Sequence, residues 1–169
     1  FDDPSIPHVG PIDPLRDIRN VEFDLMVSDL GQIEKVRAKG EWLAAQLRAL
    51  GYTVTEGLGK YERPEWTGYG VVAVMKNGAG PTVLIRTELD ALPVDEKTGL
   101  PYASKVKTKN DAGQEVSVMH ACGHDIHITN MLGTAKLLAD LKDQWRGTLV
   151  ILGQPAEETI DGARAVLRD

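Results

Sequence analysis

The sequence reads as an α/β protein with a largely parallel sheet flanked by helices. Apolar residues run continuously rather than alternately at 71–75, 83–85 and 147–152, the pattern of strands covered on both faces. At 30–50 and 124–141 apolar residues recur instead at helical spacing. Strands interleaved with helices mark a layered α/β domain, and in such sheets functional groups gather beyond the carboxyl ends of the strands.

Each element follows from local chemistry. Residues 1–20 contain Pro4, Pro7, Pro11 and Pro14. Proline at this density removes the N–H donors that helices and central strands need, which predicts an extended arm and places the domain proper at 21–169. From 30 to 50, Ile33, Val36, Leu43, Leu47 and Leu50 share one helical face; Gly51 supplies the stop and Gly40 weakens the middle turn. Residues 52–55 alternate as a short strand. The loop at 57–70 is rich in glycine and holds Tyr61, Trp66 and Tyr69, and packing onto its own domain is favoured over a substrate-facing aromatic wall. Asn77-Gly78 marks a turn after the 71–75 strand. Residues 92–114 read as loop, with Pro93, Gly99, Pro101 and Gly113. A helix follows at 124–141, with Ile128, Met131, Leu132, Ala135 and Leu138 on one face; a last helix starts near Asp161.

Composition narrows the function classes. The 169 residues carry a net charge of −6, and lysine and arginine form no basic stripe, which argues against a nucleic-acid partner. No apolar run approaches the ~20 residues of a membrane span. The single cysteine allows no internal disulfide and leaves the redox compartment open. The chain opens on Phe1 rather than Met, so upstream residues are expected. A cytoplasmic location is the expectation, with an exported form left open.

Three polar clusters sit where strands end or helices begin. In His120-Ala121-Cys122-Gly123-His124 the cysteine and histidine are two apart and cannot share a helical face. From a tight turn through Gly123 both can point at one ion. A thiolate and an imidazole together favour zinc or another borderline metal, and the helix start after them favours a lowered thiol pKa. A buried cysteine beside ordinary histidines accounts for the spacing equally well. Glu157 and Glu158 close the 147–152 strand region, and their side chains diverge. One carboxylate can hold an ion while the other takes a proton from water, the division of labour of a metallohydrolase. A solvated pair complementing a helix start is the alternative. Asp90, two residues after Glu88, suits either a carboxylate that orients a ligating imidazole or a turn-initiating residue before Pro93.

Taken together, Arg86-Thr87-Glu88-Leu89-Asp90-Ala91-Leu92-Pro93, Gly99-Leu100-Pro101-Tyr102-Ala103-Ser104, Met119-His120-Ala121-Cys122-Gly123-His124-Asp125 and Gln154-Pro155-Ala156-Glu157-Glu158 resemble the M20 family of metallopeptidases. The similarity is to the amidohydrolase branch that cleaves N-acyl amino acids, including hippurate hydrolases and plant auxin-conjugate hydrolases. It is strong from about 70 to 163 and weak from 30 to 59. It implies the N-terminal part of a zinc-peptidase-like catalytic domain with two divalent ions (zinc, manganese or cobalt) in the complete enzyme and a partial site here. It implies Cys122, His124 and Glu158 as metal ligands, Glu157 as general base and Asp90 as a supporting catalytic carboxylate. His120 and His127 are motif residues outside that ligand set, with His127 one turn into the helix in a supporting role.

The sequence departs from the family pattern in three places. No histidine follows His127, whereas the family completes its ligands with two downstream histidines; His8 matches no motif. Val27-Ser28-Asp29-Leu30 stands where the family has His-Pro-Glu-Leu, and Glu88 where it has Asp. The first departure predicts an incomplete site and leaves the lid and dimerisation domain outside this stretch. The expected partner is a small N-acyl amino acid or peptide substrate, with no nucleic acid and no membrane; a homo-oligomer is left open. Two other readings stand beside the metal-dependent amidohydrolase. One is a non-catalytic fragment or degenerate paralogue with a partial metal site. The other is a thiol hydrolase built on Cys122, which leaves Glu157-Glu158 unexplained.

Overall fold

The computed structural model describes residues 32–63, 66–110 and 113–169, with side chains from Arg37 onward. The proline-rich arm, His8 and the segment from Val27 to Leu30 lie outside the described residues. Helix α1 (Gln32–Ala49) leads into strand β1 (Thr53–Leu58), followed by β2 (Gly70–Asn77) and β3 (Thr82–Glu88). A short pair, β4 (Lys107–Lys109) and β5 (Glu115–Ser117), precedes helix α2 (His124–Asp140), strand β6 (Gly147–Gln154) and helix α3 (Gly162–Leu167). The expected helices and strands are all present, each within a few residues of its expected bounds. The 92–114 segment departs from the expected loop, because its end folds into the β4–β5 hairpin, with Lys107 opposite Ser117 and Lys109 opposite Glu115.

The α/β class and the helix-flanked central sheet are as the sequence predicts; the strand directions are not. The sheet order is β1-β2-β6-β3. β1 and β2 pair antiparallel, as do β2 and β6, and β3 with β6 is the parallel pair. The largely parallel expectation therefore gives way to a mixed sheet. Its cause lies in the connections. Parallel neighbours need a long crossover, and residues 78–81 between β2 and β3 are too few for one. The chain instead reverses there, and β6 enters the gap between the two strands. The reversal needs glycine: a Cβ on Gly80 would lie 2.6 Å from the carbonyl oxygen of Arg146. Only the β3-to-β6 connection is long enough to run parallel, and it contains α2.

One sheet face is closed by α1 and α2. Val71, Ala73 and Met75 of β2 and Leu149 and Ile151 of β6 point alternately to that face. They pack with Leu43, Ala44 and Leu47 of α1 and Ile128, Met131 and Ala135 of α2. Gly153 permits close approach, since a Cβ there would meet Leu43 at 2.9 Å. The buried Tyr52 hydroxyl, following α1, donates to the Ala135 carbonyl at 2.9 Å and so ties the two helices together; burial pushes its pKa up to about 12. The continuous apolar strands predicted cover on both faces. Among the described residues the helices α1 and α2 cover one face only, and β3 is an edge strand whose Val83 and Leu84 are 52% and 58% exposed.

Two substitutions separate core from edge. Leu43→Ala should lower the unfolding free energy by about 2–5 kcal/mol in urea denaturation, because the side chain is fully buried between helix and sheet. Leu84→Lys should change it by less than about 0.5 kcal/mol while reducing self-association in light scattering. The reverse ranking would contradict this packing.

Candidate metal centre

The parallel pairing of β3 with β6 brings the polar clusters together. Glu88 lies opposite Gln154 at the carboxyl ends of the two strands, and the Leu89 N–H donates to the Gln154 carbonyl at 2.8 Å, extending the ladder. The chain leaving β3 thus delivers Asp90 beside the chain leaving β6, which delivers Glu157 and Glu158. The third contributor is the start of α2. Gly123 precedes the helix at φ 77, a left-handed conformation that favours glycine, and turns the backbone so that Cys122 and His124 face the same point.

Cys122 Sγ, one imidazole nitrogen of His124 and one carboxylate oxygen of Glu158 lie within 4.8 Å of one another. His124 is buried. Its Nδ1 is 3.0 Å from the Asp90 carbonyl and 3.2 Å from Asp90 Oδ1. The carbonyl is an acceptor, so in the neutral ring Nδ1 carries the proton and Nε2 presents a lone pair. That lone pair faces Glu157 Oε2 at 3.6 Å and Glu158 Oε1 at 3.8 Å. Asp90 Oδ2 accepts the Glu158 backbone N–H at 2.8 Å, fixing the glutamate turn against the strand end. The turn itself is strained. Ala156 and Ile160 have φ of 51° and 66°, and a Cβ on Gly162 would lie 1.6 Å from the Pro155 oxygen.

The arrangement fits a cation. A lone pair, two carboxylates and a thiol converge, and Glu158 Oε1 and Asp90 Oδ1 are buried with no hydrogen-bond partner among the described residues. Without a cation the carboxylates repel negative charge on sulfur. The Cys122 thiol is pushed up, chiefly by its hydrogen bond to Glu158 and that residue's charge, then by burial, Glu157 and Asp90. The sequence predicts the opposite direction from the helix start alone. The carboxylates across the site outweigh the helix dipole, and they are invisible in the local sequence.

Around this centre stand residues whose neighbours sequence reasoning missed. His120 Nε2 lies 2.9 Å from Lys39 Nζ of α1, and Lys39 is itself buried. Burial, then the Lys39 charge and His124, push the His120 pKa down to about 3, so its imidazole is neutral. It lies outside the Cys122–His124–Glu158 group. Glu88 accepts from His127 Nδ1 at 2.9 Å and pairs with Arg86 at 2.7 Å; Arg86 also donates to Gln154 at 2.7 Å. Burial acts to raise the Glu88 carboxyl, but the His127 hydrogen bond and the Arg86 charge outweigh it and hold the group below its ordinary range. The two-residue spacing of Glu88 and Asp90 at the end of β3 and the spacing of His124 and His127 on one helix carried a signal for this second pair. Lys39 had none, since its partner lies 81 residues away.

The aromatic loop packs on itself and is tied to the chain around α3 through Lys60. Tyr61 and Trp66 meet edge to face at 5.4 Å, and Arg63 lies 4.6 Å over the Trp66 ring. Lys60 N–H donates to the Ala165 carbonyl at 2.9 Å and its ammonium pairs with Asp169 at 2.8 Å, anchoring the loop to α3. Burial, with Asp90 and Asp161 behind it, pushes Tyr61 up to about 12.

Residues 84–169 match the family described as Peptidase family M20/M25/M40, and the chain belongs to that family. The chain is 44% identical over 108 residues to an N-acetyl-L-cysteine deacetylase of Bacillus subtilis, covering 63% of this chain and 24% of that protein. It is 40% identical over 142 residues to a hippurate hydrolase of Campylobacter jejuni, covering 83% and 32%. Among solved structures it resembles the Bacillus subtilis YXEP protein, described as a dinuclear metal binding peptidase from the M20 family. The TM-score is 0.70 and the identity 33%, over 92% of this chain and 38% of that one. The chain therefore spans between a quarter and a third of the length of these two curated relatives.

The raised Cys122 thiol gives a direct check on the site's electrostatics. With chelator present, the pH midpoint of Cys122 alkylation should fall in Glu158→Gln, because the variant removes the charge that disfavours the thiolate. A midpoint that does not move would show that Glu158 does not face the sulfur.

Proposed function

We propose that this chain forms part of the catalytic domain of a metal-dependent amidohydrolase that cleaves the amide bond of N-acyl amino acids or small peptides. One observation supports it above the rest: the Cys122, His124 and Glu158 donor atoms converge within 4.8 Å beside a second, more exposed carboxylate, Glu157. The family, and relatives named for N-acetylcysteine and hippurate, support the substrate class.

In this reading Cys122, His124 and Glu158 hold divalent ions of the zinc, manganese or cobalt type, completed in the whole enzyme by ligands beyond these residues. When bound, such an ion acidifies water and polarises the amide carbonyl. Each side chain then has a separate task. Asp90 keeps the proton on His124 Nδ1, so that Nε2 remains a ligand, and holds the Glu158 backbone in place. Glu157, with its carboxylate 38% exposed, is free to accept a proton from the attacking water and deliver it to the leaving amine. Glu158, with a buried oxygen facing His124, is the ligand of the pair.

The chain's scattered cations and net charge of −6 support a small-molecule substrate over nucleic acid. Among the described residues no helix is long and apolar enough to cross a membrane. Residues 21–169 are taken as one part of the catalytic domain, preceded by the arm at 1–20.

Two measurements test the assignment. Cobalt added to this chain should give a thiolate charge-transfer band that Cys122→Ser lacks; equal absorption in both would remove Cys122 from the ligand set. In a longer polypeptide that joins this chain to the remaining catalytic segment, Glu157→Gln should keep its metal while kcat falls by about 10²–10⁴. Glu158→Gln should instead lose metal. The opposite pattern would exchange the two roles.

A further inference from the structure

The centre described above uses one imidazole of α2. A second, His127, stands one helical turn further on, and its surroundings repeat those of His124. Each ring turns Nδ1 toward the end of β3: His124 toward Asp90 at 3.0 and 3.2 Å, His127 toward Glu88 at 2.9 Å. Glu88 and Asp90 are two residues apart and so share one side of the extended chain. The two rings are 5.9 Å apart between centroids and tilted by 31°. A carboxylate only accepts, so in the neutral ring the proton of His127 lies on Nδ1 and Nε2 carries the lone pair.

The support beneath His127 is built rather than incidental. Glu88's side chain is only 9% exposed, and its other oxygen is held at 2.7 Å by Arg86. Arg86 is in turn fixed to Gln154 of β6 at 2.7 Å. A carboxylate fixed in this way on the Nδ1 side is the arrangement that orients a metal-ligating histidine and raises its basicity. The ring it orients is half exposed, leaving Nε2 open. His127 is also not a member of the Cys122–His124–Glu158 group of converging donor atoms.

We propose that His127 Nε2 anchors a second, weaker binding position for a borderline divalent ion such as zinc, outside the Cys122–His124–Glu158 centre. The position rests on the same metal chemistry as the proposed function but not on the same ligands. An imidazole selects zinc, cobalt or nickel over calcium and magnesium, which take oxygen ligands.

Nitrogen-15 spectra of the histidine rings test this on the chain as it stands. After chelator treatment, zinc should first move the His124 Nε2 resonance and then, at higher concentration, that of His127; calcium should move neither. His127→Ala should abolish the second event and keep the first. Cys122→Ser should weaken the first and keep the second, so failure of the main centre and failure of this position give different spectra. Glu88→Gln should weaken the second event by about 10–100-fold, because the amide no longer fixes the ring's tautomer. If that variant unfolds, which a melting curve reveals, Glu88→Asp with its shorter reach should weaken the event in the same direction. An unmoved His127 Nε2 at large zinc excess would overturn the proposal. So would unchanged affinity in the folded Glu88 variant, which would mark only adventitious binding by an exposed imidazole.

Discussion

The carboxylate of Asp90 is the interaction on which the rest of the site depends. It leaves the end of β3 and touches the other two contributors at once: the ring of His124 at the start of α2 and the backbone N–H of Glu158 beyond β6. Neither contact binds substrate or metal. The backbone carbonyl of the same residue sets which nitrogen of His124 is a donor, and the carboxylate sets where the glutamate turn sits; between them they decide whether sulfur, nitrogen and oxygen converge. Removing such an outer carboxylate typically costs more than its own hydrogen bonds, because the ligands it orients lose their common focus.

This convergence has a cost that the fold meets elsewhere. Buried carboxylate oxygens without hydrogen bonds, a thiol pushed toward its neutral form and two non-glycine residues at positive φ are each unfavourable alone. The core of α1, α2 and the central strands overrides them, with Leu43, Ile128 and Ile151 packed in one cluster. A cation relieves the electrostatic part. Folding of the scaffold and preference for a positive ion are thus two sides of one arrangement, in which the parallel β3–β6 pair supplies the geometry and the acidic residues supply the field.

How much of this was legible in the sequence depends on the range of the interaction. Helical and strand elements were readable because their causes are local: apolar periodicity in α2, Gly51 after α1, continuous apolar runs in β2 and β6. Cys122 and His124 stand in one motif and Glu158 in another, and the fold brings their donor atoms within 4.8 Å of one another. The strand directions were not readable from hydrophobicity, since a buried run looks the same in either direction; the short 78–81 connection held the deciding information. The β4–β5 hairpin was hidden by its shortness. The direction of the Cys122 shift was misjudged because helix polarity is local and the opposing carboxylates come from 36 residues further on, at Glu158. Lys39 beside His120 is the extreme case, a contact with no local trace.

The most direct test of the account is zinc affinity measured by calorimetry on the chain and on Asp90→Ala, with thermal melting to establish that both are folded. Asp90 lies outside the converging donor set, and the backbone carbonyl that faces His124 Nδ1 survives the substitution, but the carboxylate that holds the Glu158 backbone N–H is lost, so affinity should fall by about 10–100-fold. An Asp90→Ala chain that folds and binds zinc as tightly as the parent would contradict the claim that this carboxylate organises the centre.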